Sequence, residues 1–372
     1  MEGLGVTGSF WAGRRVLVTG HTGFKGGWLA LWLESLGAQV TGLGLSPSFP
    51  SFFQAAGLDR GSVSVIGDIR DYEVVLRTFR ETRPEIIFHL AAQPLVRASY
   101  RDPVANYATN VLGTVHVLEA ARQSPGVRAV VVVTSDKCYE NRETREGYRE
   151  ADRLGGHDPY SSSKACAEII SAAYRSSYFT SLQGEASVAV ATTRAGNVIG
   201  GGDWAEDRLV PDLVRAIAKH ADPEIRNPAA VRPWQHVLEP LWGYLMLAER
   251  LAGADSANYR EAWNFGPMDG DAREVGWIVE RFSQLWGRSG KWIRDASARP
   301  HEAALLTLDT SKARTVLGWK PVMDLEQALA ATVRWYQNHL AGKDMRACSL
   351  EQIGAYTDLV AAARSKVAPE IV

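Results

Sequence analysis

The chain has 372 residues, of which 46% are hydrophobic, enough for a sizeable core in one α/β domain with an appended lobe. Its formal net charge of -1 and the lack of a long basic run argue against a nucleic acid or an anionic membrane as the main partner, so we expect a small ligand. No apolar stretch has the length of a membrane span, and residues 1–15 lack the basic-then-apolar order of a secretory signal. Together with three separated cysteines, which are expected to be reduced, this predicts a cytoplasmic protein.

From residue 14 onward, short apolar runs alternate with amphipathic stretches. The pattern predicts strands at 15–19, 39–43, 63–66, 86–90, 129–134 and 188–193, and helices at 27–36, 72–82, 104–122 and 160–178. Strands that are continuously rich in Val, Ile and Leu and alternate with helices indicate a parallel sheet covered on both faces. We therefore predict an α/β fold with a Rossmann-type doubly wound sheet, in which ligands bind at the carboxyl ends of the strands.

After about residue 195 the rhythm changes to a glycine-rich run followed by further helices. These helices are predicted near 209–219, 237–251, 275–286 and 325–340. We expect a dinucleotide-binding domain over residues 1–195, with a later return near 230–266, and a smaller, mainly helical substrate-binding lobe over 196–372. The eight His residues show no paired ligand spacing, so no metal site is predicted.

Three glycines at three-residue spacing follow the first predicted strand. Gly20 permits a tight turn, Gly23 lets the backbone approach a pyrophosphate, and Gly26 lets helix and strand pack closely. With a strand before it and a helix after it, this loop predicts a dinucleotide site. The second strand ends in LGLSPS, which has neither an acid for a ribose hydroxyl nor an Arg for a 2′-phosphate, so this position leaves NAD and NADP open.

Tyr160 and Lys164 open the helix predicted at 160–178. Residues four apart share a helical face, so the Lys ammonium is expected beside the Tyr hydroxyl. A nearby cation lowers the pKa of a phenol, which predicts that Tyr160 can accept a proton from a sugar or alcohol hydroxyl. Asn110 is expected to support this site from the preceding helix, although a structural role is the alternative.

Seven longer segments match the pattern of one known family. They are TGHTGFKGGW, FHLAAQPLVRASY, VTSDKCYENRE, GGHDPYSSSKACAE, RAGNVIGGGDWAEDRLVPD, RPWQHVLEP and WNFGP. The chain resembles the CDP-glucose 4,6-dehydratases, nucleotide-sugar members of the extended short-chain dehydrogenase/reductase superfamily, from about residue 12 to Arg346. The resemblance implies a homodimer joined through helices at 102–122 and 160–178.

The resemblance also implies the reaction and its cofactor, tightly held NAD. CDP-glucose would be oxidised at C4 while Tyr160, assisted by Lys164 and Ser135, takes the O4 proton; water would then leave from C5 and C6, and reduction at C6 would give CDP-4-keto-6-deoxyglucose. Residues expected to contact the cofactor, besides Tyr160 and Lys164, are Gly20, His21, Gly23, Phe24, Lys25, Gly26, Asp68, Ile69, Ala91, Ala92, Gln93, Asn110 and Thr134. A helix-capping role is the alternative for Asp68.

An acid stands directly before a base at the end of the fifth predicted strand. Related dehydratases of dTDP-glucose show Asp-Glu here, whereas this chain has Asp136-Lys137. By resemblance Asp136 is the acid that protonates the departing 6-hydroxyl, and Lys137 stands where the base for the C5 proton would be. A free Lys has a pKa of about 10.4, so the hypothesis requires desolvation or like charge to lower it. The alternative is that Lys137 is a solvated strand-end residue.

Four residues of the second lobe fall in segments that contact the nucleotide in this family. They are Asn197, Arg208, Arg232 and His301. The planar fork of an Arg side chain suits a diphosphate.

Three competing functions differ from this one in their chemistry. A nucleotide-sugar 4-epimerase has no use for an acid and a base at positions 136 and 137. A dehydratase of another nucleotide hexose would share both. A dinucleotide-binding regulator without turnover tends to lose the Tyr or the Lys of the pair at 160 and 164, and both are present.

Overall fold

The computed structural model describes residues 6, 8–144, 146–179, 188–268, 270–295 and 305–365. Seven parallel strands form the central sheet: β1 (Arg15–Thr19), β2 (Gln39–Gly44), β3 (Val63–Ile66), β4 (Ile86–His89), β5 (Ala129–Val133), β6 (Ala189–Ala195) and, later in the chain, β10 (Ala262–Phe265). Their order is β10-β6-β5-β4-β1-β2-β3, and every neighbouring pair is parallel. This confirms the predicted doubly wound sheet.

Thirteen α-helices lie in the described part of the chain. They are α1 (Gly8–Trp11), α2 (Phe24–Ser35), α3 (Phe52–Ala55), α4 (Tyr72–Thr82), α5 (Val96–Arg101), α6 (Pro103–Tyr107), α7 (Gly113–Arg122), α8 (Pro159–Ser177), α9 (Leu209–Ala218), α10 (Leu238–Ala252), α11 (Val275–Leu285), α12 (Leu325–Leu340) and α13 (Met345–Ser365). No helix among these has the length and apolar character needed to cross a membrane.

Alternate residues of each strand enter opposite hydrophobic layers. Val16 and Val18 of β1 pack with α2 and α10, whereas Leu17 packs with α4 and α7 on the other face. Both faces of a strand are buried because successive side chains point to opposite sides of a sheet. This explains the continuous apolar runs in the sequence, and why α2, enclosed between sheet and helices, is apolar on nearly every side.

The chain after β6 forms two small sheets as well as helices. Strands β7 (Asn197–Ile199), β9 (Val231–His236) and β11 (Ala272–Glu274) form one sheet, and β8 (Glu224–Ile225) and β12 (Ile293–Arg294) form the other. None of these strands was predicted from the sequence. They have two to six residues, too few for a hydrophobic period, and they depend on partners distant in the chain.

Six predicted strands of the central sheet are confirmed to within two residues at each end, but two predicted helices differ from the structure. The first begins at Phe24 rather than at Gly27, so Lys25 and Gly26 lie in its first turn. The helix predicted at 104–122 is interrupted by a π-helical turn, Ala108–Leu112, which carries Asn110. Such turns are frequent at functional sites.

Candidate active site

A cleft of about 1520 Å³ opens along the carboxyl ends of the central strands. It is lined by residues that follow β1, β4, β5 and β6, and by residues of the second lobe between 197 and 234. The strand order reverses between β1 and β4, which is the point where doubly wound sheets bind ligands. The cleft therefore joins the predicted dinucleotide site to the predicted substrate lobe.

The glycine loop after β1 has no room for larger side chains. Gly20 has a φ of +78°, and a Cβ atom on it would lie 2.7 Å from the Ala91 nitrogen. A Cβ on Gly26 would lie 2.1 Å from the Gly20 carbonyl oxygen. Gly23 is the N-cap of α2 and supplies no side-chain acceptor, which leaves N–H groups of the first helical turn for an anion. These features fit a dinucleotide pyrophosphate.

Three other side chains of this loop lie at different depths. His21 is buried behind the cleft surface, where its Nε2 lies 2.7 Å from the Ser64 Oγ and burial lowers its pKa to about 4. Phe24 and Lys25 line the cleft. Burial lowers the pKa of Lys25 to about 8, and the charge of Arg208 acts in the same direction. An anionic ligand would stabilise both cations.

Asp68 and Ile69 follow β3 and line the cleft. The Asp68 carboxylate pairs with Arg70 (Oδ2 to Nη2, 2.6 Å) and accepts a hydrogen bond from the Arg70 backbone, and the hydrogen bond to the Arg70 side chain lowers the pKa of Asp68. Asp71, not Asp68, caps α4 by accepting bonds from Glu73 and Val74. The capping alternative for Asp68 is therefore wrong.

Asn110 supports the loop after β4 from beneath. Ala91, Ala92 and Gln93 line the cleft, whereas Asn110 is buried and is not part of its wall. The Asn110 side chain accepts from the Gln93 nitrogen (2.8 Å) and donates to the Gln93 oxygen (3.1 Å) and to the Ser163 Oγ (2.9 Å). The π-helical turn thus links this loop to α8.

Tyr160 and Lys164 lie in the first two turns of α8, buried at the base of the cleft. Asp158 caps the helix by accepting a bond from the Ser161 nitrogen (2.9 Å). The Lys164 ammonium donates to the Val133 carbonyl oxygen at the end of β5 (3.2 Å). Burial lowers the pKa of Lys164 to about 8.

The predicted lowering of the Tyr160 pKa is wrong for the ligand-free protein. Burial raises the pKa of Tyr160 to about 12, opposed by a hydrogen bond with Ser135 and by the charge of Arg208. The spacing in the sequence identifies the neighbouring residues but not how completely burial removes water from the phenol. The effect of this desolvation on the pKa is larger than that of the nearby charges.

Residues 135–138 form a tight turn beside Tyr160. The Ser135 hydroxyl donates to Asp136 Oδ1 (2.9 Å) and accepts from the Lys137 nitrogen (3.2 Å). Asp136 is 4% exposed, and burial raises its pKa against the opposing charge of Lys137. The half-buried Lys137 lines the cleft, and its ammonium makes no hydrogen bond or ion pair within the described ranges. Thr134 precedes the turn and donates to Glu168.

Three of the four predicted substrate residues line the cleft. Asn197 lies at the start of β7, Arg232 in β9, and Arg208 just before α9. Arg208 pairs with Asp203 (Nη1 to Oδ2, 2.9 Å). His301 lies outside the described residues. Asn197, Arg208 and Arg232 therefore line the same cleft as the turn at 135–138.

An ion-pair cluster across the cleft was missed in the sequence. Asp207 Oδ1 contacts Arg97 Nη1 (2.8 Å) from the first domain and Arg226 Nη1 (3.4 Å) from the second lobe, and all three residues line the cleft. Arg97 lies within FHLAAQPLVRASY, so the resemblance contained a signal for it. Arg226 lies outside every matched segment.

Comparisons with known proteins place the chain among nucleotide-sugar enzymes. A family model described as GDP-mannose 4,6-dehydratase matches residues 17–332. A CDP-glucose 4,6-dehydratase of Salmonella typhimurium is 51% identical over 350 residues, which cover 94% of this chain and 97% of that protein.

Solved structures with the same fold include a dehydratase and an epimerase. A double mutant of a dTDP-glucose 4,6-dehydratase from Streptomyces venezuelae, solved with NAD, is 25% identical with a TM-score of 0.76 and covers 90% of this chain and 100% of that one. A UDP-glucose 4-epimerase of Thermus thermophilus, also with NAD, is 25% identical with a TM-score of 0.74 and covers 87% and 99%. The fold is thus shared by two chemistries, which the active-site residues must separate.

Proposed function

The chain belongs to the GDP-mannose 4,6-dehydratase family, and we propose that it is an NAD-dependent hydro-lyase that converts CDP-D-glucose to CDP-4-keto-6-deoxy-D-glucose and water. The observation that carries this proposal is the turn with Ser135, Asp136 and Lys137, which lies against the helix with Tyr160 and Lys164 at the base of one cleft. The 51% identity with a CDP-glucose 4,6-dehydratase supports this nucleotide among the alternatives.

The residues around the glycine loop fit NAD. The close approach of Gly20 and Gly26 makes a cradle for the pyrophosphate, Lys25 supplies a cation beside it, and Asp68 and Ile69 would hold the adenosine end. NAD, when bound, takes up a hydride from C4 of the sugar, returns it to C6, and carries a positive ring that lowers the pKa of a nearby phenol.

Oxidation at C4 requires removal of the O4 proton, which we assign to Tyr160. The Ser135 hydroxyl lies beside the Tyr160 phenol and donates to Asp136 Oδ1 (2.9 Å). In our proposal Ser135 passes the proton taken from O4 on to Asp136, where it replaces the proton that Asp136 gives to O6. Lys164 lies one turn along the same helix and supplies a positive charge to the site.

Elimination requires a base for the C5 proton and an acid for the 6-hydroxyl. In our proposal Lys137 takes the C5 proton, the C6–O bond breaks, and Asp136 protonates the departing oxygen to give water. After reduction at C6, Lys137 returns a proton to C5. The raised pKa of buried Asp136 suits an acid.

Cleft residues that follow β6 would bind the CDP diphosphate. Arg208 and Arg232 are the candidate cations, with Asn197 as a polar contact. Arg208 is already oriented by Asp203. His301 stays a prediction from the sequence.

A 4-epimerase is the second candidate, and Asp136 and Lys137 argue against it. An epimerase oxidises and reduces C4 alone, so a buried acid and a cleft-facing amine directed at C5 and C6 would have no function in it.

Incubation with CDP-, dTDP-, GDP- and UDP-glucose, followed by NMR of the products, distinguishes the dehydratase from the epimerase. We expect the product from CDP-glucose to show a new C6 methyl group. A product with the galactose configuration at C4 would favour the epimerase. The absence of a methyl group in the products of all four substrates would contradict the proposal.

We also propose a homodimer. Val104, Tyr107, Leu112 and Ile169 are exposed on the surface formed by α6, the π-helical turn and α8. Exposed apolar side chains grouped on adjacent helices are typical of an interface between subunits. The positions match the helices predicted to join the dimer.

A cytoplasmic location is part of the proposal. Cys138, Cys166 and Cys348 are free, and two of them are buried. Free thiols are typical of proteins in a reducing compartment.

A further inference from the structure

A buried ion pair lies behind the proposed active site and takes no part in the reaction described above. Glu168 Oε2 and Arg194 Nη2 are 2.8 Å apart, and their side chains are 2% and 3% exposed. Burying two charges costs free energy that their attraction often fails to recover, so stability alone is a weak explanation for such a pair. Its contacts suggest another one.

The ion pair contacts the residues on both sides of the turn at 135–138. On one side, Glu168 Oε1 accepts a hydrogen bond from Thr134, which directly precedes Ser135. On the other side, Arg194 Nη1 donates to the Tyr139 hydroxyl (2.7 Å), and the guanidinium lies 4.8 Å from the centre of the Tyr139 ring. Tyr139 directly follows Cys138, the last residue of the turn.

Glu168 lies in the helix that carries the other catalytic candidates, and Arg194 lies in β6. Tyr160, Lys164 and Glu168 are spaced four apart in α8 and therefore share one face. We infer that Glu168 and Arg194 are positioning residues that fix the turn at 135–138 relative to Tyr160 and Lys164. This inference rests on the proposed function of those groups.

Further hydrogen bonds anchor the Tyr139 end of the turn. The Tyr139 hydroxyl donates to Asn264 Oδ1 (2.8 Å) in β10, and Asn264 Nδ2 donates to the Tyr148 carbonyl oxygen (2.8 Å). Arg194 Nη1 also donates to the Glu150 carbonyl oxygen (3.1 Å). The turn is thus tied to α8, to β6 and to the edge strand of the sheet.

The proposed reaction explains why this alignment matters. The groups on α8 act at C4 of the sugar ring, whereas those on the turn act at C5 and C6 of the same ring. A shift of the turn would therefore misalign Asp136 and Lys137 with respect to Tyr160 and Lys164. A misplacement of about 1 Å can cost on the order of 100-fold in rate. Glu168 also raises the pKa of Lys164 against the effect of burial.

The test compares Glu168→Gln with Thr192→Val. Thr192 donates to Glu168 Oε2 (2.6 Å) and, in the described part of the chain, makes no hydrogen bond to either end of the turn, so its variant is a control for loss of a buried hydrogen bond to Glu168. For conversion of CDP-glucose we expect Glu168→Gln to lower kcat by roughly 10- to 100-fold with KM changed by about twofold or less.

The pH profile of kcat in Glu168→Gln should also shift to lower pH, because loss of the nearby negative charge lowers the pKa of Lys164. Thr192→Val should retain kcat to within about twofold and the wild-type pH profile.

Tyr139→Phe provides a second, independent variant if Glu168→Gln does not fold. It removes the hydroxyl bonds to Arg194 and Asn264 and keeps the ring, and we expect kcat to fall by roughly 10-fold at nearly unchanged KM. Wild-type kcat in either variant, or an equal loss in Thr192→Val, would overturn the inference. Failure of the wild-type enzyme to convert CDP-glucose would instead contradict the proposed function.

Discussion

At the scale of single residues, burial decides the protonation of the proposed catalytic groups. It raises the pKa of Asp136, raises that of Tyr160 to about 12, and lowers that of Lys164 to about 8. The four-residue spacing predicted that Tyr160 and Lys164 share a helical face, and the resemblance implied that Asp136 acts at the same site. Neither could predict their pKa values, because these depend on how completely distant segments exclude water from the site.

Lys137 is the residue whose replacement best separates the two halves of the reaction. We expect Lys137→Met to retain C4 oxidation but to stop loss of water, because the long apolar side chain fills the same space without a base. NADH formation in a single turnover and the C6 methyl signal in NMR measure the two steps separately. A Met variant that makes the 6-deoxy product at near wild-type rate would exclude Lys137 as the base.

Lys164 predicts a pH dependence of stability. Its pKa is about 8 in the folded protein and 10.5 in the unfolded chain, so the unfolded chain binds more protons between these pH values. The free energy of unfolding should therefore rise with pH in this range, by up to about 3 kcal/mol from this group. Urea unfolding of ligand-free wild type and Lys164→Met from pH 7 to 10 measures it, and a pH-independent difference between the two proteins would contradict it.

At the scale of elements, the strands of the central sheet were predictable and several other elements were not. The strands are buried on both faces and therefore appear in the sequence as continuous apolar runs. Helix α13 was missed although its buried positions, among them Ile353, Tyr356 and Val360, have helical spacing, because apolar residues also lie outside its buried face and weaken the contrast between the faces. The break around Asn110 was missed because a π-helical turn keeps the residue pattern of a helix while it inserts one extra residue.

The contact between α2 and the loop after β1 gives a prediction for cofactor binding. A methyl group at position 26 would overlap the Gly20 carbonyl oxygen, so Gly26→Ala should displace the loop and abolish retention of NAD. Gly354→Ala is the matched control, since its new Cβ in α13 meets no atom within 4 Å. NAD released on denaturation of each purified variant measures retention; equal amounts in both would refute the prediction.

At the scale of the whole molecule, the fold brings together residues from nearly the full chain length. The cleft is lined by residues from Gly20 to Leu306, and the ion pairs of Asp207 with Arg97 and Arg226 join distant parts of the chain within this lining. Most cleft residues lie within segments that the resemblance identified. Arg226 lies outside these segments, because its ion pair with Asp207 depends on how distant parts of the chain pack rather than on a local motif.

The exposed apolar surface predicts the oligomeric state. Leu112→Asp, which places a charge among Val104, Tyr107 and Ile169, should convert a dimer to a monomer. Leu340→Asp is the control, because Leu340 is similarly exposed at the end of α12. Sedimentation should give twice the mass of one chain for the control and wild type. A monomeric wild type, or a variant that stays dimeric, would contradict this interface.

In the proposed reaction, hydrogen moves within one sugar ring from C4 to C6 while water leaves. The most direct test uses CDP-glucose with deuterium at C4, followed by NMR and mass spectrometry of the product. We expect a 4-keto product whose C6 methyl group carries the deuterium. A product without a methyl group, or a methyl group without the deuterium, would contradict it.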